Sequence, residues 1–157
     1  MFPQPDDRAR YQYPEEGLLQ AYGVVQDSEI RDPEHYDANH QRCLLVVKNG
    51  AASGTTIGRA NGLESVQRNY PDYDIVGQTS IEIAVLPYSR ARGAFSKAGD
   101  SGSIVLTRDG KILGLLTGGM GPTAETDMTF VTPYWWLEQQ IKKKFPGAFL
   151  YDVVALP

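Results

Sequence analysis

The sequence lacks several features that other protein classes require. Its 157 residues include a single cysteine, Cys43, so no disulfide can form within the chain, and a reducing, intracellular compartment is the simpler expectation. No stretch reaches the roughly 18 apolar residues that cross a bilayer. The chain starts with polar residues rather than with a basic region and an apolar run, so no secretory signal is expected there.

Positive charge is also scarce. The formal net charge is −4 at pH 7, which argues against a general affinity for nucleic acid or for an anionic membrane. The one basic run, Lys142 to Lys144, lies where a helix is predicted to end. Lysines at that end stabilise a helix by interacting with the negative end of its dipole. The length suits one domain, and hydrophobic residues make up 41% of the chain, which is enough to bury a core.

Histidine occurs only twice, as His35 and His40 in the segment HYDANH. With Asp37 between them they suggest metal ligands, but no second cluster in the sequence completes such a site. We therefore expect neither a metal nor another cofactor. His40 is the candidate for a general base within this chain, and the alternative is that both histidines are solvated loop residues.

Short strand patterns separated by turn signals fill the middle of the chain. The run CLLVVK ends at Asn49-Gly50, and GTTIG follows as a short return strand. The runs SIVLT and KILGLLTGG flank a second hairpin signal at 108–110, and MTFVT adds another strand. This succession predicts a small antiparallel barrel or sandwich.

One of these runs, SIEIAVLPY, alternates. Ile81, Ile83 and Val85 face one way, and Glu82 and Ala84 face the other, which predicts a strand that is buried on one face only.

The two ends of the chain differ from its middle. Residues 1–17 are polar and contain three prolines, so they predict an arm that is extended or disordered, and 151–157 form a tail. Between them, 18–150 make up the domain. Its last part predicts a helix at about 133–145, with Thr132 as its cap and Pro133 at its first position.

The stretch FSKAGDSGSIV contains the one candidate nucleophile, Ser101. A glycine before the Asp-Ser pair lets the N–H groups of Gly99 and Ser101 point into one site, as an oxyanion hole requires, and Gly102 leaves space for a carbonyl. Ser103 stands where the nucleophile elbow of other hydrolases has its second glycine, so that pattern fails. The alternative is a glycine turn between two strands.

The segments FSKAGDSGSIV, GKILGLLTGG and MTFVTPYWWLEQQI, in that order, resemble the last third of chymotrypsin-like (trypsin-fold) serine proteases. Over about 18–150 the chain also resembles trypsin-like peptidase domains of fungal proteins. The resemblance implies an all-β fold, the second, C-terminal Greek-key barrel of the trypsin fold with a C-terminal α-helix. It also implies a serine endopeptidase that hydrolyses peptide bonds by acyl transfer.

The resemblance implies a role for each matching residue. Ser101 matches the nucleophile, Gly99 and Ser101 the oxyanion donors, and Asp100 the buried acid that supports this turn, often by pairing with a freed amino terminus. Phe95 matches the base of the specificity pocket, where it offers no carboxylate to arginine or lysine, unless Asp127 nearby alters that. Thr117, Gly118 and Gly119 match the family's strand that pairs with the substrate backbone.

One departure from the family is large. The family takes the histidine and aspartate of its triad from a first barrel, and this chain has room for one barrel only. Three interpretations remain open: the nucleophile half of an endopeptidase, an inactive trypsin-fold interaction module, or a self-contained hydrolase that uses His40. In the first, we expect little activity from the chain alone and a first-barrel segment, a partner chain or self-association to complete it.

Overall fold

The computed structural model describes residues 21–69, 78–89, 93–121 and 128–150. The predicted arm at 1–17 and the tail at 151–157 lie outside the described residues. None of the described helices has the length and apolar character needed to span a membrane. In chain order the elements are α1 Asp27–Arg31, β1 His35–Tyr36, β2 Arg42–Gly50, β3 Gly54–Asn69, β4 Gln78–Pro87, β5 Ile104–Thr107, β6 Ile112–Met120, β7 Met128–Pro133 and α2 Tyr134–Lys144.

Six strands close into an antiparallel barrel. Their order is β2–β3–β4–β7–β6–β5, and β5 pairs back onto β2 through Val46 opposite Thr107 and Lys48 opposite Val105. Strand β5 therefore returns beside β2 rather than beside β4, which is the Greek-key arrangement. The predicted fold class is confirmed: a small antiparallel barrel followed by a C-terminal helix.

The barrel interior is filled by branched apolar side chains. Val46, Val85, Leu113 and Val131 have no exposed surface, and Trp135 of α2, which is partly buried, packs against the same cluster. Side chains that fill a small barrel hold its strands at fixed distances. The turns at the ends of these strands therefore sit in fixed positions relative to one another.

The first hairpin turns later than predicted. Asn49 and Gly50 belong to β2, where they pair with Thr55 and Gly54, so the turn is at 51–53. The return strand β3 is also much longer than GTTIG. Past the bulge at 60–64 it pairs with β4 alone, so the two strands leave the barrel as a ribbon.

Strand β4 is not half-buried in the predicted way. Ile83 and Val85 are buried, but so are Glu82 and Ala84 on the opposite face, whereas Ile81 is 56% exposed. Ile81 lies in the ribbon, two residues before Ile83, the first residue of β4 that pairs with β7. Its position outside the barrel explains its exposure.

Thr132 does not cap the C-terminal helix. It belongs to β7, where its hydroxyl donates a hydrogen bond of 2.7 Å to the buried carboxylate of Glu82. Pro133 stands at the N-cap, and the helix begins one residue later than its predicted first position.

Candidate functional site

Ser101 lies in a tight turn that its own backbone holds together. The N–H of Asp100 donates to the carbonyl of Lys97 at 3.0 Å, and the N–H of Ser103 donates to the carbonyl of Asp100 at 3.0 Å. The Ser103 hydroxyl donates to that same carbonyl at 2.6 Å. The N–H of Gly102 donates to Leu116 of β6 at 2.7 Å, so the turn is anchored to the barrel.

Two glycines give the turn its shape. Gly99 has a φ of +100° and Gly102 a φ of +86°, in the left-handed region that a side chain disfavours. Ser101 between them is exposed. Within the described part of the chain, the N–H groups of Gly99 and Ser101 donate to no other residue. Among the described residues, the turn thus presents a serine hydroxyl and two N–H groups without a partner, the groups that the sequence predicts as nucleophile and oxyanion donors.

The Asp100 side chain points away from this surface and has no exposed area. One carboxylate oxygen accepts the N–H groups of Ala52 at 2.8 Å and Ser53 at 3.1 Å, both in the β2–β3 turn. The other accepts the N–H of Lys97 at 2.9 Å and the Ser53 hydroxyl at 2.5 Å. Asp100 therefore ties the Ser101 turn to the neighbouring hairpin.

Lys48 provides the positive charge beside Asp100. Its Nζ lies 3.0 Å from the Asp100 carboxylate, and both side chains are completely buried. It also donates to the Ser53 hydroxyl and, at 3.2 Å, to the carbonyl of Gly54, and it lies 5.7 Å from the centroid of the Phe95 ring. These contacts satisfy an ammonium group that burial would otherwise make costly.

Sequence reasoning missed Lys48, because it stands at the end of an apolar run where lysine is usually exposed. A signal was present: Lys48 follows Val46 at the strand period of two, so both side chains lie on the same face of β2. Val46 is fully buried in the core.

Opposing effects act on the pKa of Asp100. Burial raises it, but hydrogen bonds from the Ser53 hydroxyl, the Lys97 N–H and the Lys48 ammonium outweigh burial and hold the pKa well below the usual range of an aspartate. Asp100 is therefore ionised at neutral pH.

The structure does not bring His40 to Ser101. His40 lies in the turn between β1 and β2, with a φ of +57°, and its N–H donates to Asp37 at 3.0 Å. Strand β2 then runs from Arg42 to Gly50, about 26 Å at roughly 3.3 Å per residue, before it reaches the Asp100 carboxylate. His40 and Ser101 therefore lie at opposite ends of β2, too far apart for proton transfer.

His35 has a different partner. Its Nε2 lies 3.1 Å from the carboxylate of Asp109, and its Nδ1 accepts the N–H of Leu45 at 3.4 Å. The pair lines a cavity of about 360 Å³ at the far end of β5 from Ser101. Asp37 binds Arg59 instead. In 21–69, 78–89, 93–121 and 128–150, no three histidine, cysteine, aspartate or glutamate residues are grouped as metal ligands.

The predicted substrate strand lies directly beside the turn. On the side of β6 that faces β5, Leu116 makes the last backbone hydrogen bonds. Its N–H donates to the carbonyl of Ser103 at 3.0 Å, and its carbonyl accepts the N–H of Gly102. Beyond Leu116, Thr117, Gly118 and Gly119 pair with no described strand on that side, although β7 continues on the other. Within the part of the chain that the structure describes, this leaves an open strand edge next to Ser101.

Phe95 differs from its predicted role. Its ring is completely buried in the core, and Gly58 makes room for it, since a Cβ there would lie 2.7 Å from the ring. The Thr56 hydroxyl donates to the Phe95 carbonyl at 2.6 Å. The ring therefore offers no surface to a substrate, and packs beside Lys48 instead. Asp127, the other residue considered for specificity, lies outside the described residues.

Three comparisons with known proteins were made, against family models, curated proteins and solved structures. No family model matches the chain, and no curated protein matches it. A crystal structure of chymotrypsin from Cellulomonas bogoriensis is similar over 62% of this chain, with 23% sequence identity and a TM-score of 0.47. The match covers 46% of that chain, so this chain spans about half the length of the structure that it matches. The similarity to fungal peptidase domains stays a prediction.

Proposed function

We propose that this chain is the nucleophile-bearing half of a serine endopeptidase. One observation carries the proposal: an exposed serine hydroxyl stands in a turn whose Gly99 and Ser101 N–H groups have no partner among the described residues. Donors that are already in place, and that face the position where negative charge develops, are the largest single contribution to acyl-transfer catalysis.

The proposed reaction starts with a peptide lying along the open edge of β6, where main-chain hydrogen bonds to 117–119 would hold it as an added strand. The Ser101 oxygen attacks the scissile carbonyl, and its proton passes to a histidine. The carbonyl oxygen, now negative, accepts the N–H groups of Gly99 and Ser101. The histidine then gives its proton to the leaving amine, and water hydrolyses the acyl-enzyme.

That histidine comes from outside this barrel in our proposal. The chain has two histidines, and the structure places both at the far end of the barrel from Ser101. A first-barrel segment, a partner chain or a second copy would supply the histidine and the aspartate that orients it. Without them, turnover falls by about 10⁶-fold in enzymes of this mechanism.

Covalent labelling with a fluorophosphonate tests the proposal, because the reagent reports an activated serine without any knowledge of the substrate. Imidazole added to the isolated chain stands in for the missing base. We expect labelling that rises with imidazole concentration and rises further when a segment supplying histidine and aspartate is present. Ser101→Ala abolishes it, while Ser80→Ala, which removes an exposed serine of β4, leaves it unchanged.

The same experiment separates the alternatives. Labelling of the chain without imidazole that is lost in His40→Ala would replace our proposal with a self-contained hydrolase. An absence of labelling in every condition would favour the interaction module, in which Asp100 and the glycines only maintain a turn.

A further inference from the structure

The Lys48–Asp100 pair is the one fully buried ion pair beside the candidate nucleophile among the described residues. We propose that Lys48 is a positioning residue: its ammonium holds Asp100, and through Asp100 the Gly99–Ser101 turn, in the geometry for acyl transfer, so that no freed amino terminus is required. This inference rests on the function proposed for Ser101.

The coupling to the turn is direct, since Asp100 lies between the two oxyanion donors in the chain. Its carbonyl accepts the N–H and the hydroxyl of Ser103, at 3.0 and 2.6 Å. In a trans peptide the next N–H points opposite to that carbonyl, so the direction of the Ser101 N–H is set by where Asp100 is held. Holding the Asp100 side chain therefore restrains the residue whose carbonyl sets the direction of this donor.

The Asp100 carboxylate has no place for a further cation. A carboxylate accepts about four hydrogen bonds. Asp100 already has five donors: the N–H groups of Ala52, Ser53 and Lys97, the Ser53 hydroxyl and the Lys48 ammonium. Because Lys48 belongs to the same barrel, its charge is present as soon as the chain folds. The family's freed amino terminus would find this position filled.

Neighbouring positions accommodate the pair. Gly50 has no side chain at the point where Asp100 passes, and a Cβ there would overlap the carboxylate and lie 2.9 Å from the Lys48 Nζ. The Phe95 ring covers the ammonium at 5.7 Å from its centroid. The site thus excludes water and holds both charges in one arrangement, which makes a buried pair a positional constraint.

The test uses Lys48→Met, which keeps the length of the side chain and removes its charge. The matched control is Lys111→Met, which removes a lysine paired with Glu29 at 2.5 Å at the other end of the barrel. We expect Lys48→Met to reduce imidazole-dependent labelling of Ser101 on the order of 10²-fold, the cost of losing one oxyanion donor. Lys111→Met should label like the wild type.

Amide resonances give a reading that does not depend on catalysis. In Lys48→Met we expect the Gly99 and Ser101 N–H resonances to move and to exchange faster with solvent, while Gly110, in the hairpin at the other end of β5, stays unchanged. If the wild type is not labelled at all, the proposed function fails, and these resonances still decide whether Lys48 positions the turn.

Two further variants keep the inference open to refutation if Lys48→Met does not fold. The double variant Lys48→Met/Asp100→Asn has no unpaired buried charge and should fold, with faster exchange at Gly99 and Ser101. Lys48→Cys, made in a Cys43→Ala background and aminoethylated while unfolded, restores an ammonium at the same reach and should restore the resonances.

Two results would overturn the inference. One is a folded double variant whose Gly99 and Ser101 resonances and labelling equal those of the wild type. The other is loss of labelling when the amino terminus is blocked by a fusion, because the terminus would then supply a charge that we assign to Lys48.

Discussion

A carboxylate and an ammonium without any exposed surface lie directly behind an exposed serine. Each charge alone would be costly to bury, and each is satisfied by the other and by further hydrogen bonds. The carboxylate accepts N–H groups of the β2–β3 turn, and the ammonium donates to the carbonyl of Gly54, the first residue of β3. At the scale of single residues, the side chain of Asp100 and the hydroxyl of Ser101 thus face opposite directions from one turn. The buried side holds the turn, and the exposed side is available for chemistry.

Asp100 should make the free energy of unfolding depend on pH in the acidic range. Its pKa is lower in the folded state than the value of about 3.9 in an unfolded chain, so its contribution is complete above about pH 4 and is lost as pH falls towards the folded pKa. Asp100→Asn leaves Lys48 without its partner and should cost about 3–5 kcal/mol at pH 7.

Denaturant unfolding of wild type and Asp100→Asn at pH 7 and pH 3 measures this difference. The difference in unfolding free energy between the two proteins should narrow at pH 3. Asp37, a second buried aspartate with a lowered pKa among the described residues, affects both proteins equally. A gap of the same size at both pH values would contradict the assignment.

At the scale of elements, the β2–β3 hairpin shows that a glycine which correctly predicts a hairpin can be required for a reason other than the turn. Asn49-Gly50 predicts a turn, and a turn does follow, but both residues extend the strand ladder instead. Gly50 is required by the passage of the Asp100 carboxylate, a contact from a distant part of the chain. Turn chemistry is local, so sequence reasoning could find the hairpin but not the reason for its glycine.

Gly50→Ala should therefore destabilise the protein far more than an ordinary glycine substitution. The new methyl group would displace Asp100 from Lys48, and overpacking together with a strained ion pair should cost about 3 kcal/mol or more. Gly147→Ala is the matched control, because a Cβ at Gly147 meets no atom within 4 Å. Equal unfolding free energies for the two variants would show that the hairpin tolerates the displacement.

At the scale of the whole molecule, closure of the barrel brings the parts of the site together. The pairing of β2 with β5 places Lys48 opposite Val105, a few residues from Ser101. His40 precedes β2 and therefore lies at the other end of that strand. Closure also separates buried from exposed leucines. Leu113 lies wholly inside, whereas Leu63, on the ribbon that leaves the barrel, is 65% exposed.

These two leucines test that separation with identical chemistry. Leu113→Ala opens a cavity in the closed barrel and should cost about 2–5 kcal/mol of unfolding free energy. Leu63→Ala removes the same atoms from a largely solvated position and should cost less than about 1 kcal/mol. Denaturant midpoints compare them directly, and similar losses would mean that the ribbon is covered in the native protein.

By itself, the sequence determined the barrel strands in outline, the presence of two hairpins, the terminal helix and the Gly-Asp-Ser-Gly turn, because strand patterns and turn residues act over a few neighbouring residues. It did not determine the length of β3, the position of the first turn, or the short elements α1 and β1. It placed Ser101, Gly99 and Asp100 in one turn for the same reason. Only the tertiary structure decided that Lys48 is the partner of Asp100, that the Phe95 ring is buried, and that His40 lies at the opposite end of β2. Those facts depend on barrel closure, which joins residues far apart in the chain and holds others apart.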